Sequence, residues 1–129
     1  MPLDPRVNQL TFKIIACAIA VHRALGPGLL ESAYFACMVA ELRSQGLHVE
    51  LGVPVPLVYR GLKLDCGYKL DMLVEGIVIL ELKTLSAILP VHEAQLVTYL
   101  KLTGKPVGLI LNFNVTVMKD GIKRKINTD

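Results

Sequence analysis

Gly76-Ile77-Val78-Ile79-Leu80-Glu81-Leu82-Lys83-Thr84 reads as an apolar strand interrupted by two charges. Residues two apart in a strand share a face, so Glu81 and Lys83 point one way and Leu80 and Leu82 the other. An unpaired buried charge is costly, so the pair needs partners or water. A third member lies upstream, in Tyr68-Lys69-Leu70-Asp71-Met72-Leu73-Val74. Glu75-Gly76 marks a hairpin turn between the two runs. A three-residue loop, Glu75-Gly76-Ile77, sets Val74 opposite Val78 and Asp71 opposite Glu81. A two-residue turn without a bulge sets Asp71 opposite Leu80 instead and sends the carboxylates to opposite faces. The candidate site therefore rests on a register.

Two carboxylates at opposed positions repel unless a cation sits between them. Their oxygens suit a hard ion, Mg²⁺ or Mn²⁺. The chemistry this suggests is metal-assisted hydrolysis of a phosphodiester. Asp71 and Glu81 would hold the ion, which acidifies a bound water and offsets phosphate charge. Lys83 would orient or help deprotonate the attacking water, or stabilise the developing negative charge. The competing reading is a Glu81–Lys83 ion pair on the exposed face of an amphipathic sheet.

Outward from this hairpin, the pattern changes period several times. Val7 to Leu25 carries Leu10, Ile14, Cys17, Val21 and Leu25 at helical spacing, and Gly26-Pro27-Gly28 ends the run. A second helix is predicted from about Leu29 to Gln45, with Gly46 as its cap. His48 to Tyr59 alternates loosely, and Pro54 and Pro56 mark it as an edge or bulged strand. Arg60-Gly61 is a turn, and Lys63 to Val74 a strand. Pro90 to Thr103 returns to helical spacing before Gly104. Val107 to Phe113 is a continuous apolar strand. Val115 to Met118 and Ile122 to Ile126 flank Lys119-Asp120-Gly121, a second hairpin signal. Helices on both sides of a strand cluster predict a mixed sheet with helical layers, an α/β sandwich, in one domain over residues 1–129.

The chain is 53% hydrophobic and 19% charged, with net charge +3. The run Ile14 to Val21 falls short of the roughly 18–20 apolar residues a membrane span needs. Excess apolar surface must enter a core or an interface, so a homo-oligomer is expected and a membrane partner is not. Met1-Pro2-Leu3-Asp4-Pro5-Arg6 lacks the basic and apolar signature of a signal peptide. Cys17, Cys37 and Cys66 form no CxxC pair and no zinc pattern, as expected of reduced thiols in a cytoplasmic protein. Lys119, Lys123, Arg124 and Lys125 form the one dense basic cluster, which reads as a solvated hairpin end before a phosphate grip. Aromatics are 5%, and no extra basic domain or aromatic-basic stripe is present for gripping a long duplex.

Gly28-Leu29-Leu30-Glu31-Ser32-Ala33-Tyr34 resembles the motif that names the bacterial GxxExxY family. Asp71 to Lys83 is similar to that family's Asp…Glu-x-Lys core, and His92-Glu93-Ala94-Gln95-Leu96-Val97-Thr98-Tyr99-Leu100 to its HxxQxxxYL helix. Asn112-Phe113 and Asp120-Gly121-Ile122-Lys123-Arg124 resemble its C-terminal end. The resemblance runs from about Val7 to Asn127 and implies the PD-(D/E)xK restriction-endonuclease-like core, a mixed β-sheet flanked by helices. Leu70 stands before Asp71 where the superfamily signature has Pro. The resemblance also implies Glu31 as an additional metal carboxylate; the plain alternative is an acid favoured by a helix N-terminus. Gly28 fits a structural role at the helix entry.

Tyr34, one turn beyond Glu31, could bond it or stack on a base, or fill the core. His92, Gln95 and Tyr99 share a helical face that could aim at the site, with Gln95 holding a phosphate, a water or Lys83. The alternative is a set of helix-to-sheet hydrogen bonds. The leading expectation is a Mg²⁺- or Mn²⁺-dependent nuclease acting on DNA or RNA. The competing classes are a non-catalytic nucleic-acid-binding or self-assembling protein that keeps the nuclease fold, and a metal-dependent hydrolase of nucleotides.

Overall fold

The computed structural model describes residues 3–128; Met1, Pro2 and Asp129 lie outside the described residues. The elements run α1 (Pro5–Leu25), α2 (Glu31–Ser44), β1 (Val49–Pro54), β2 (Leu57–Tyr59), β3 (Leu62–Leu64), β4 (Lys69–Val74), β5 (Val78–Lys83), α3 (Pro90–Thr103), β6 (Val107–Asn112) and β7 (Ile122–Ile126). Asp4 opens α1 by accepting the Arg6 N–H on its carboxylate, with Pro5 in the first turn. Gly104 closes α3 in the left-handed region, at φ 70°.

Five strands form one mixed sheet in the order β1-β4-β5-β6-β7. β5 and β6 are parallel, joined by α3 as the crossover, and the other neighbours are antiparallel. One face carries α1 and α2: Ile14, Cys17, Tyr34, Met38 and Leu42 pack on Met72, Val74, Leu80, Leu82 and Leu109. The other face carries α3, whose Leu96, Tyr99 and Leu100 pack on Leu73, Ile79 and Ile110. This is the predicted α/β sandwich. Among the described residues, no helix is long and apolar enough to cross a membrane.

Three strand expectations need correction. His48 to Tyr59 is two strands rather than one. Pro54 and Pro56 lack N–H donors, and Val55 between them donates to the Tyr68 carbonyl, just before β4, at 2.9 Å. Lys63 to Val74 is likewise divided, by a turn in which the Asp65 carboxylate accepts the Gly67 N–H. β2 and β3 instead make a separate hairpin around Arg60 (φ 49°) and Gly61 (φ 80°). Val115 to Met118 is not a strand. Met118 begins a 3-10 turn (Met118–Gly121), and its side chain is buried in the core. β7 pairs with β6 across the long connection between them.

The β4–β5 register is the one the site requires. Val74 pairs with Val78 and Met72 with Leu80, around a loop in which Glu75 (φ 54°) and Gly76 (φ 67°) turn the chain. The sheet does not continue regularly from there. β1 and β4 pair through Val49↔Val74, Glu50↔Leu73 and Leu51↔Met72, then resume at Val53↔Leu70. The skipped position sets Gly52, at φ 59°, against Asp71. Leu70 and Leu73 both pack under α3 although three residues apart, while Met72 faces α1 and α2. Val49 and Val53, an even spacing apart, likewise face opposite layers. A regular strand forbids both patterns. The two strands therefore turn over together at the Gly52–Asp71 step.

Candidate metal and phosphodiester site

The turn-over opens the sheet between β4 and β5. Their ladder stops at Met72↔Leu80, although β4 stays paired with β1 down to Lys69 and β5 with β6 out to Lys83. In the gap, side chains replace backbone pairing. The Asp71 N–H donates to Glu81 Oε2 at 3.0 Å, and the Leu82 N–H donates to Asp71 Oδ2 at 2.8 Å. Each carboxylate thus satisfies a backbone donor that an open strand end would orphan. Asp71 and Glu81 converge as the register predicts, with each carboxylate bonded to the backbone of the opposite strand rather than standing free on a pleated face.

Glu81 is only 7% exposed. Burial first, and the neighbouring Asp71 carboxylate second, push its pKa up to about 8, with Lys83 pulling the other way. The shift favours the protonated form of Glu81 beside Asp71. Glu31, in the first turn of α2, feels the same centre. Its pKa is raised by burial and by Asp71 and lowered by Lys83. Glu31, Asp71, Glu81 and Lys83 therefore share one electrostatic neighbourhood. Even so, no three His, Cys, Asp or Glu residues among those described lie close enough to form a ready-made metal cage. The compact acidic unit is the Asp71–Glu81 pair, and Glu31 stands outside it with an exposed side chain.

Lys83 is held by its surroundings. Its carbonyl accepts the Phe113 N–H at 3.0 Å, and it pairs with Asn112 on β6. Asn112 is buried; its side-chain carbonyl accepts the Leu85 N–H and its amide donates to the Leu85 carbonyl, both at 2.9 Å. This two-way clamp fixes the chain as it leaves β5.

The helical residues divide. Tyr99 is buried, and its phenol pKa is raised by burial and then by Glu81, Tyr68 and Asp71. It walls the carboxylate pair from the α3 side, with the Tyr68 ring tilted against it at 6.2 Å. Gln95 lies one turn earlier and is exposed. The His92 ring is turned to the helix end instead, where Nδ1 accepts the Leu89 N–H at 2.9 Å. This caps α3, a role that neither the substrate-contact reading nor the helix-to-sheet alternative anticipated.

The expectation of a substrate contact at Tyr34 is corrected. Tyr34 is fully buried and stacks on Phe113 with ring centroids 4.7 Å apart. Its hydroxyl donates to the Gly26 carbonyl at 2.6 Å and accepts the Leu29 N–H at 3.2 Å. Together with Gly28 at φ 97°, it sets the entry to α2 and hence the place of Glu31. Sequence reading missed Gly52, Asn112 and Tyr68. A glycine in an alternating stretch signals a bulge or close approach, and that was the available clue for Gly52.

A family model for the PD-(D/E)XK nuclease superfamily matches residues 8–125, and the chain belongs to that superfamily. No curated protein and no solved structure matches it.

Proposed function

We propose that this member of the PD-(D/E)XK nuclease superfamily is a divalent-metal-dependent phosphodiesterase of DNA or RNA, centred on Asp71, Glu81 and Lys83. The observation that carries the reading is the break in the β4–β5 ladder, which two carboxylates fill from opposite strands. The donor set suits Mg²⁺ or Mn²⁺, because such ions are commonly held by one or two carboxylates, with water and substrate phosphate completing the shell. When bound, the ion supplies acidity to water and charge to the phosphate.

The chain's own groups do the rest. Glu81 would give up its proton on becoming a ligand, so ion affinity would rise with pH. Lys83, on the Glu81 face of β5, stabilises negative charge on the phosphate or orients water. Tyr99 excludes solvent from one side and keeps its phenolic proton available for donation. Glu31 and Gln95 join as accessory groups from α2 and α3. Membership of the narrower GxxExxY group, carried by Gly28, Glu31 and Tyr34, belongs to the same proposal, as does action in the cytoplasm. Self-association is supported by exposed apolar side chains such as Phe12.

The test is cleavage of single- and double-stranded DNA and RNA with Mg²⁺ or Mn²⁺, beside Asp71→Ala and Lys83→Ala. Ion-dependent cleavage by the wild type, with both variants reduced by at least about a hundredfold, is expected. Equal activity in all three proteins rejects the site. Binding without cleavage leaves the non-catalytic reading.

A further inference from the structure

The β2–β3 hairpin is an apolar arm that packs against little. Tyr59 is 59% exposed and Leu62 62%, and Val58 and Leu64 are also exposed. An isolated two-stranded hairpin is marginally stable, and contiguous exposed apolar surface marks an interaction site. The arm leaves the sheet after Pro54 and returns just before Lys69, so it springs from the end where β4 parts from β5. Between arm and sheet lies a groove of about 620 Å³ lined by Pro54, Pro56, Lys63, Leu64, Tyr68 and Lys69.

We propose that this groove and hairpin form a cradle for a single-stranded nucleic acid that leads into the Asp71–Glu81 centre. The inference rests on the function proposed above and names its substrate class. Three observations carry it. The first is charge: Arg60, Lys63 and Lys69 outnumber Asp65 on the 57–69 segment, and the Asp65 carboxylate is engaged by the Gly67 N–H. A polyanion is the complementary occupant. The second is aromatic surface. Tyr68 is half exposed in the groove, and Tyr59 lies on the arm with the Arg60 guanidinium over its ring, 5.4 Å from the centroid. Flat rings beside cations suit unstacked bases, whose faces a duplex hides. The third is continuity. Tyr68 touches Tyr99, which walls the carboxylates, and Lys69 is two residues from Asp71. A strand stacked on Tyr68 is thereby led to the reacting centre. These aromatic and basic residues, Tyr59, Arg60, Lys63, Tyr68 and Lys69, lie close together in sequence on the hairpin and the chain returning from it.

Binding is read by fluorescence anisotropy with labelled oligothymidylate, oligouridylate and a duplex of equal length, in chelator so that nothing is cut. Single strands of either sugar are expected to bind more tightly than the duplex. Tyr68→Ala should weaken single-strand binding on the order of tenfold, and Tyr68→Phe should retain it. Paired Lys63→Ala and Lys69→Ala should lower the slope of log affinity against log salt by about 0.7 for each phosphate that the variant no longer neutralises. Should Tyr68→Ala not fold, the Tyr68→Phe and lysine variants at exposed positions still decide. Wild-type affinity in the lysine variants, or a duplex bound as tightly as a single strand, overturns the cradle. So does an arm whose variants alter only the oligomeric state, since it would then be a self-association surface. Failure to bind rejects the cradle, whereas binding without later cleavage rejects only the hydrolytic reading.

Discussion

Replacing Glu81 by Gln tests the carboxylate pair through stability rather than activity. Glu81 carries a pKa raised from 4.5 to about 8. At about 1.4 kcal/mol per unit, the folded state disfavours the ionised form by roughly 3–5 kcal/mol. The native state holds more protons than the unfolded chain between the two values. The proton-linked stability is therefore fully present below pH 4.5 and is lost as pH rises through about 8. The charges facing Glu81 are Asp71, which raises its pKa, and Lys83, which lowers it less. Gln is neutral throughout; it can accept the Asp71 N–H as Glu81 does and donate to the Asp71 carboxylate as protonated Glu81 does.

Urea unfolding of both proteins from about pH 5 to pH 9 isolates this contribution, because other titrating groups are common to both. The stabilities should agree near pH 5 and diverge in favour of Glu81→Gln by a few kcal/mol near pH 9. Added Mn²⁺ should reverse the trend in the wild type alone, since an ion that binds the native state stabilises it by mass action and displaces the proton. Parallel pH profiles for the two proteins, or equal stabilisation of both by Mn²⁺, refute the account of the pair.

Three further substitutions test the frame around the site. Gly52→Ala places a side chain at φ 59° and should cost about 1–2 kcal/mol in urea unfolding, with Mn²⁺ stabilisation reduced because Asp71 is moved. Gly108→Ala sets a methyl 2.6 Å from Leu96 Cδ1 and should destabilise by about 1–3 kcal/mol. No loss there means α3 can draw back from β6. Tyr34→Phe keeps the Phe113 stack but orphans the Gly26 carbonyl and the Leu29 N–H. It should lower stability by about 1–3 kcal/mol in a thermal melt, and full stability would mean those groups find other partners.

The sequence carried the layers well because burial writes itself as period. Pro90 to Thr103 shows helical spacing and is α3 to the residue, and Val107 onward is a fully buried strand. The β4–β5 register was legible only as a choice between a two- and a three-residue turn, and the structure takes the three-residue one, with Val74 opposite Val78. What stayed hidden depends on tertiary contact. The splitting of 48–59 turns on where two prolines meet neighbouring strands, and both strand and bulge were consistent with their positions. His92, Gln95 and Tyr99 do share a helical face, yet they sit differently: Tyr99 is buried beside the carboxylates and Gln95 is exposed. His92 sits in the first turn, where the free Leu89 N–H captures its ring. Tyr34 could not be assigned from spacing, since a phenol serves core and site equally until its hydroxyl partners are known.

Asp71 and Glu81 owe their bonds to the opposite strand's backbone, rather than their closeness, to a defect shared by three strands. Left regular, β4 and β5 would pair through Lys69 and Lys83, and opposed carboxylates would stand on a continuous sheet face beneath α3. Ionised there, they would repel with no backbone donors to hold them. The Gly52–Asp71 step turns β1 and β4 over together and frees the Asp71 and Leu82 N–H groups from the ladder. Those two donors then fix the two carboxylates, while Tyr99 closes the centre from one layer and Glu31 approaches from the other. The same parting of strands gives the β2–β3 arm its root beside the centre. The proposed chemistry and the proposed substrate entry would thus share one local departure from sheet geometry, at the step where Gly52, at positive φ, faces Asp71.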